Sequence, residues 1–363
     1  MNIFGGNILD DPEKIKALDT EDMLGVEENF YRQLQQAKII GEKTDISKIK
    51  NKNFTGIAFS GMGGSGFSGD IIKNLVKYEI QLPVEIVKGY KLPAFINKGW
   101  LVIAVSYSGD TEETIAIAEE ALKRGCEVIF STSGGKMEKL ALENSKCLVK
   151  VPGSYQPRAA AGYLFLPLYI LLARLGIIKA DMKIIERAIE TVREKSEMYN
   201  RNVPARENFA KKIALEIGSG LPVIYGFEGV MASVAFRWKC QVNENSKCPG
   251  FWNEFPELNH NETVGWERLK EITKNFVLII FKDGTQSQKI NTRINTTQKL
   301  IRDNFSKIIE IEVEGKSDFE KALSIMYLGG MVSVYLALLN NINPTPVDKI
   351  KVLKAELAKI NNV

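Results

Sequence analysis

Apolar residues along this chain fall into short dense runs, each closed by glycine or a hydroxyl residue and separated by stretches with helical spacing. Residues 52–60 (KNFTGIAFS), 100–106 (WLVIAVS) and 127–131 (EVIFS) have the length and composition of buried strands. Residues 111–125 (TEETIAIAEEALKRG), between the second and third runs, repeat their apolar positions at helical spacing. Thr111 and the acidic residues after it suit a helix start, and Gly125 suits a stop. Strands that alternate with helices predict βαβ units and a parallel sheet. The scheme recurs later: a strand at 221–226 (LPVIYG), a helix from 229 (GVMASVAFRWKCQ), then strands at 275–281 (NFVLIIF) and 307–313 (KIIEIEV). Strand, glycine, helix, strand, helix, strand is therefore the order in both halves, as a duplicated α/β unit would give. Residues 12–40 read as an amphipathic helix pair, and the charged stretch 181–199 as a helical connector between the halves.

A chain of 363 residues exceeds what one core usually organises, so two domains are expected. Hydrophobic residues at 45% and charged residues at 25% are globular values. Lys and Arg outnumber Asp and Glu by 48 to 44, an excess too small and scattered for nucleic-acid binding but compatible with a local anion pocket. Cys126, Cys147, Cys240 and Cys248 form no CxxC pair, and the chain has a single histidine. Reduced, mostly buried thiols are expected, with no metal site. The opening MNIFGGNILDDPEK has no basic start followed by an apolar run, so secretion is not indicated. Residues 322–339 (ALSIMYLGGMVSVYLALL) carry no charge and fall just short of the ~20 residues a bilayer span needs. They are expected to form a buried core or subunit-interface helix, and no membrane association is expected.

Two motifs point to chemistry. The first, GMGGSGFSGD from Gly61 to Asp70, directly follows a strand. Its glycines let backbone amides approach a ligand, and the helix start beyond them favours an anion. A GxGxxG pattern exists only through Gly61, Gly63 and Gly66, and no GK[ST] follows, so a nucleotide loop of the NTPase type is excluded. The bland alternative is a tight strand-to-helix turn. The second motif places the hydroxyls of Ser106, Ser108 and Thr111 at another strand exit, where they can wrap phosphate oxygens or serve simply as helix caps. Two such turns at the carboxyl ends of parallel strands converge on one crevice.

With STSGGKMEKLA at 131–141, these motifs closely resemble the sugar-isomerase (SIS) domain. PRAAAGYLF, NENSK, FPELNHNE and PTPVDKIKVLK follow in order, and the whole resembles the bifunctional phosphoglucose/phosphomannose isomerase family from about residue 56 to 354. The resemblance implies an α/β fold of two SIS-type domains, each a doubly wound, flavodoxin-like parallel sheet flanked by helices. The expected division is an N-terminal helical segment at 1–40, a phosphate-binding domain at 41–180 and a second domain with C-terminal helices at 181–363. It also implies a cytoplasmic enzyme, free of metal and cofactor, that interconverts glucose 6-phosphate and mannose 6-phosphate with fructose 6-phosphate through a cis-enediolate.

Site residues follow from the same resemblance. The amides of Gly63 and Gly64, with Ser65, Ser106, Ser108 and Thr111, would hold the phosphate. Glu244 matches the proton-shuttling carboxylate, His260 the ring-opening histidine, and Arg158 the enediolate stabiliser. Lys354 falls where the related isomerases have a lysine that assists ring opening, while Lys349 and Lys351 read as solvent-facing. Thr345 sits in the PTPV turn, where it would either accommodate the C2 epimer or hold the turn. Related isomerases are homodimers whose histidine comes from the neighbouring subunit. Taken without the resemblance, Glu244 reads as a solvated helix-end carboxylate and Arg158 as a helix-start ion-pair partner. His260 is the chain's single histidine, a residue type suited to proton transfer. Two other classes compete: a noncatalytic SIS sensor of sugar phosphates, which keeps the hydroxyl loop without needing Glu244, His260 and Arg158, and a dinucleotide-dependent enzyme.

Overall fold

The computed structural model describes residues 8–360; the opening MNIFGGN and the last three residues lie outside it. Among the described residues, nine strands form two sheets. The first contains β1 (Gly56–Ser60), β2 (Val84–Val87), β3 (Trp100–Val105), β4 (Glu127–Thr132) and β5 (Cys147–Lys150), all parallel, in the order β2-β1-β3-β4-β5. The second contains β6 (Leu221–Phe227), β7 (Phe251–Phe255), β8 (Phe276–Lys282) and β9 (Lys307–Glu312), again parallel, in the order β7-β6-β8-β9. In both sheets the first strand of its half is flanked by the second and third, as in flavodoxin-like sheets. The duplicated order expected from the apolar runs is present.

The central strands are buried on both faces, which is why they read as continuous apolar runs. Edge strands β2, β5 and β7 carry no such signal. In β7, for example, Phe251 and Trp252 are exposed and only Phe255 is fully buried. One apolar core runs through both halves, taking in Ile57 and Ile103 from the first sheet and Ile224 and Leu278 from the second. A smaller core built on Val102, Phe130 and Ile117 covers the other face of the first sheet.

Helix Asp318–Leu339 passes through the shared core. It is long and apolar enough to cross a membrane, but 94% of its apolar stretch is buried inside the protein. Its Gly-Gly pair permits close contacts. A Cβ on Gly329 would lie 2.3 Å from Nε1 of Trp238, and that indole donates to the Ile325 carbonyl at 2.8 Å. The connector is helix Met182–Tyr199, capped by Asp181, with Ile185, Ala188, Ile189 and Val192 buried along one face. The N-terminal segment departs from the expected helix pair. It forms three helices, Pro12–Leu18, Met23–Glu28 and Phe30–Lys43. The Asp19 carboxylate, just past the first helix, accepts the Met23 and Leu24 amides at 2.9 and 2.7 Å and so satisfies the first turn of the second helix.

Candidate active site

β1 and β3 are neighbouring parallel strands, so the loops that follow them leave the same edge of the sheet. Helix Gly63–Leu75 begins after the first loop and helix Glu112–Lys123 after the second. The N-cap residues, Met62 and Thr111, make no side-chain cap, so the positive end of each helix dipole faces the crevice without one. Thr111 is therefore not the ordinary cap that its position suggests. Its hydroxyl instead receives a bond from Ser106 Oγ at 2.9 Å, and Ser106 Oγ accepts the Gly109 amide at 3.1 Å. Ser65 Oγ accepts the Tyr107 amide at 3.1 Å and ties the two loops together. Ser108 Oγ accepts the Asp110 amide at 3.3 Å and is exposed, as is Gly63. Of the six residues expected to hold a phosphate, Ser65, Ser106 and Thr111 are thus part of the bonds that join the two turns, and Gly63, Gly64 and Ser108 lie on the same turns.

The crevice is continuous with Arg158. A Cβ on Gly64 would lie 2.8 Å from the Pro157 carbonyl and 3.1 Å from Arg158 Cα, so only glycine lets the loop rest on that turn. Arg158 is 3% exposed. Its Nε donates to Asn245 Oδ1 at 2.6 Å, and its Nη2 donates to the carbonyls of Pro344 and Thr345 at 2.9 and 2.7 Å. A guanidinium has five N–H donors, so these bonds leave the pair on Nη1. Nη1 faces Glu244 Oε2 at 3.9 Å.

Glu244 comes from the other half of the chain, near the end of helix Val230–Asn245. That helix packs against helix Gly63–Leu75, where Asn74 donates to Ser233 Oγ at 2.7 Å. Burial pushes the Glu244 carboxyl above the usual carboxylate range, against the pull of Arg158, Arg237, Lys247 and Lys239. A small cleft joins Gly63, Gly64, Arg158, Arg237, Gln241 and Glu244. It offers a hydrogen-bonding crevice for an anion, a fixed cation and a carboxyl group with raised proton affinity, side by side.

One expected residue, His260, is not brought there. β6 leads into helix Val230–Asn245, which runs back along the sheet, and β7 then returns parallel to β6. Glu244 therefore lies at the end of the sheet where the strands begin, and His260 at the end where they finish. At 1.5 Å per residue the helix separates those ends by roughly 20 Å. His260 ends the short helix Glu257–His260 and is exposed. Lys354 is exposed on helix Asp348–Ile360, six residues after its first residue. Thr345 itself is 3% exposed and meets Arg158 through its carbonyl.

Comparison with known proteins gives this geometry a context. Residues 206–357 match the model of the bacterial phospho-glucose isomerase C-terminal SIS domain. The chain is 37% identical to the bifunctional phosphoglucose/phosphomannose isomerase of Caldicellulosiruptor bescii, over 92% of this chain and 98% of that one. This chain belongs to the bifunctional phosphoglucose/phosphomannose isomerase family. A second family member, from Aquifex aeolicus, is 34% identical over 93% of this chain and 99% of its own. A hypothetical protein from Thermus thermophilus shares the fold, with a TM-score of 0.73 and 14% identity over 96% of this chain and 93% of that one.

The motifs that marked this phosphoglucose/phosphomannose isomerase chain did not single out four residues that the fold gathers at the cleft. Lys247, the last residue of NENSK, donates to the Pro344 carbonyl at 2.8 Å and to the Glu244 carbonyl at 2.6 Å. Burial and the Arg158 charge bring its ammonium down to about 8. Arg237 and Gln241 precede Glu244 by seven and three residues and share its helix face. Glu27 arrives from helix Met23–Glu28, and burial pushes its carboxyl up to about 7 against the pull of Arg237 and Arg158. Arg237 and Gln241 carry a readable signal, polar residues spaced so that they share the Glu244 face of the helix. Glu27 carries none, because its place depends on a helix more than 200 residues away in sequence from Glu244.

Proposed function

We propose that this chain interconverts glucose 6-phosphate and mannose 6-phosphate with fructose 6-phosphate by proton transfer through a cis-enediolate. The observation that carries the reading is the Arg158–Glu244 pair, set beside the hydroxyl-lined crevice. In this reading Gly63, Gly64, Ser65, Ser106, Ser108 and Thr111 anchor the phosphate, which places the open-chain carbons C1 and C2 near Glu244. The carboxylate takes the proton from C2 of the aldose, and the C–H electron pair becomes the C1–C2 double bond as the carbonyl electrons move onto O1. Nη1 of Arg158 stabilises the oxyanion. Glu244 then returns the proton to C1 while the hydroxyl proton of O2 passes to O1, which leaves the ketone at C2 and a hydroxyl at C1, and no oxidant or reductant is consumed. The chain would act in the cytoplasm, with residues 41–180 and 181–363 as its two SIS units behind the segment 1–40. A coupled assay with all three hexose 6-phosphates, run with and without a chelator, tests this directly. Turnover of none of them would refute it, and loss of activity on chelation would refute the metal-free part.

The reading requires a second copy. His260 is too far from Glu244 of its own chain to open the ring of a sugar bound there, so it would act at the site of a twofold-related partner. Lys354 would complete ring opening, and the buried Thr345 hydroxyl, which has no hydrogen-bond partner, would meet the sugar near C2. Subunit complementation checks the shared site. Inactive His260→Ala and Glu244→Gln proteins, mixed under conditions that exchange subunits, are expected to regain partial activity. One of the two sites in each mixed dimer would have both wild-type residues. Verified exchange with no recovery would mean that each chain builds its own site.

A further inference from the structure

Eight buried side-chain nitrogen and oxygen atoms among the described residues have no hydrogen-bond partner, and they are not scattered evenly. Four of them are Nε of Arg237, Nε2 and Oε1 of Gln241, and Oγ1 of Thr345. Thr345 bonds Arg158 through its carbonyl, and Arg237 Nη2 donates to the Arg158 carbonyl at 2.9 Å. Gln241 lines the same cleft as Arg158 and is 1% exposed. A buried amide left without partners loses its hydrogen bonds to water and gains none in return, so folded proteins seldom keep one. Here a whole carboxamide, donor and acceptor, is left open beside the candidate catalytic pair.

Its setting holds the amide in place. Gln241 lies one turn before Glu244 on helix Val230–Asn245, and Arg237 lies one turn earlier, its guanidinium over the Phe67 ring at 4.9 Å. On the far side, a Cβ on Gly330 would lie 3.3 Å from Gln241 Nε2 and 2.2 Å from Glu27 Oε2. Gly330 therefore leaves room for the Glu27 carboxyl and the Gln241 amide together. Arg237 and Glu27 flank the amide, and it bonds neither.

We propose that Gln241 contacts the substrate, its carboxamide pairing with hydroxyl groups of the open-chain hexose phosphate beside the carbons that Glu244 and Arg158 serve. A polyol chain supplies both donors and acceptors, so it can satisfy both ends of the amide at once. The assignment rests on the isomerase reading above and adds a sugar-contacting residue to it.

Gln241→Met is the decisive variant, because it keeps the length of the side chain and removes only its polar atoms. A structural role and a substrate role then predict opposite signs. With the orphaned amide gone, the free protein is expected to melt at or above the wild-type temperature. At the same time kcat/KM for fructose 6-phosphate should fall about ten- to hundredfold, mostly through KM. Fructose 6-phosphate should also raise the variant's melting temperature less than it raises that of the wild type. Gln241→Leu serves as a second variant if the methionine protein does not fold. A variant that folds and turns over within threefold of an active wild type would overturn the assignment and leave the isomerase reading intact. A wild type inactive on every hexose 6-phosphate would remove both.

Discussion

Glu244→Gln is expected to lower turnover by about two to four orders of magnitude while phosphorylated inhibitors still bind. Glutamine keeps the shape of the side chain but cannot accept the carbon-bound proton, and the residues proposed to hold the phosphate lie on other elements. The pH profile gives an independent readout. Burial raises the Glu244 carboxyl above its ordinary 4.5. A base must be ionised to work, so wild-type activity should be lost as pH falls through that raised value, and the acid limb should lie above 4.5. The residual activity of Glu244→Gln should lack this limb. Stability runs in the opposite sense. Because the folded state holds this proton more tightly than the unfolded chain does, the contribution of Glu244 to stability declines as pH rises from 4.5 through the raised value. The pH range that switches the base on is thus one in which the fold is weakened by it. Turnover within threefold of wild type would remove Glu244 from the mechanism.

Arg158→Lys should be nearly as damaging, although it keeps the charge. Arg158 supplies three bonds of 2.6 to 2.9 Å to Asn245, Pro344 and Thr345 and still presents Nη1 to Glu244. A lysine ammonium is a single point on a flexible stem and cannot fill those places together. Turnover is expected to fall by about two to three orders of magnitude through loss of the fixed oxyanion partner. Thermal or denaturant unfolding should show a loss of about 2–4 kcal/mol, because buried acceptors are left without donors. Wild-type turnover in the lysine protein would mean that charge alone suffices and that the fork geometry of Arg158 has no part in catalysis. Unchanged stability with lost activity would separate its catalytic role from its structural one.

The two effects are large for a common reason: Arg158 joins parts of the chain that are distant in sequence. Its partners Asn245 and Thr345 lie 87 and 187 residues further on, and each bond holds one half of the molecule against the other. Such a residue is hard to weigh from the sequence. PRAAAG by itself suits a salt bridge at a helix start just as well. The same holds for Glu244, which a local reading places on an ordinary solvated helix end. In the structure it faces a buried guanidinium.

What the sequence by itself determined is whatever depends on neighbours along the chain. The apolar runs of β1, β3, β4, β6, β8 and β9, the helix signals between them and the repetition in the two halves all predicted parallel α/β units. The two hydroxyl- and glycine-bearing turns were legible for the same reason, since strand exit, turn and helix start are consecutive residues. Strands β2 and β5 escaped because each is only four residues long, and β7 because most of it stays outside the core and needs no continuous apolar run. Tertiary structure alone decided which groups share a cleft. It set Arg158 against Glu244, brought Glu27 across Gly330 and left the Gln241 amide without a partner. It also placed His260 at the far end of the second sheet from Glu244, although only 16 residues separate them in sequence. A helix that runs back along its sheet turns a short sequence distance into a long spatial one, and no local pattern of polar and apolar residues records which end of the sheet a side chain reaches.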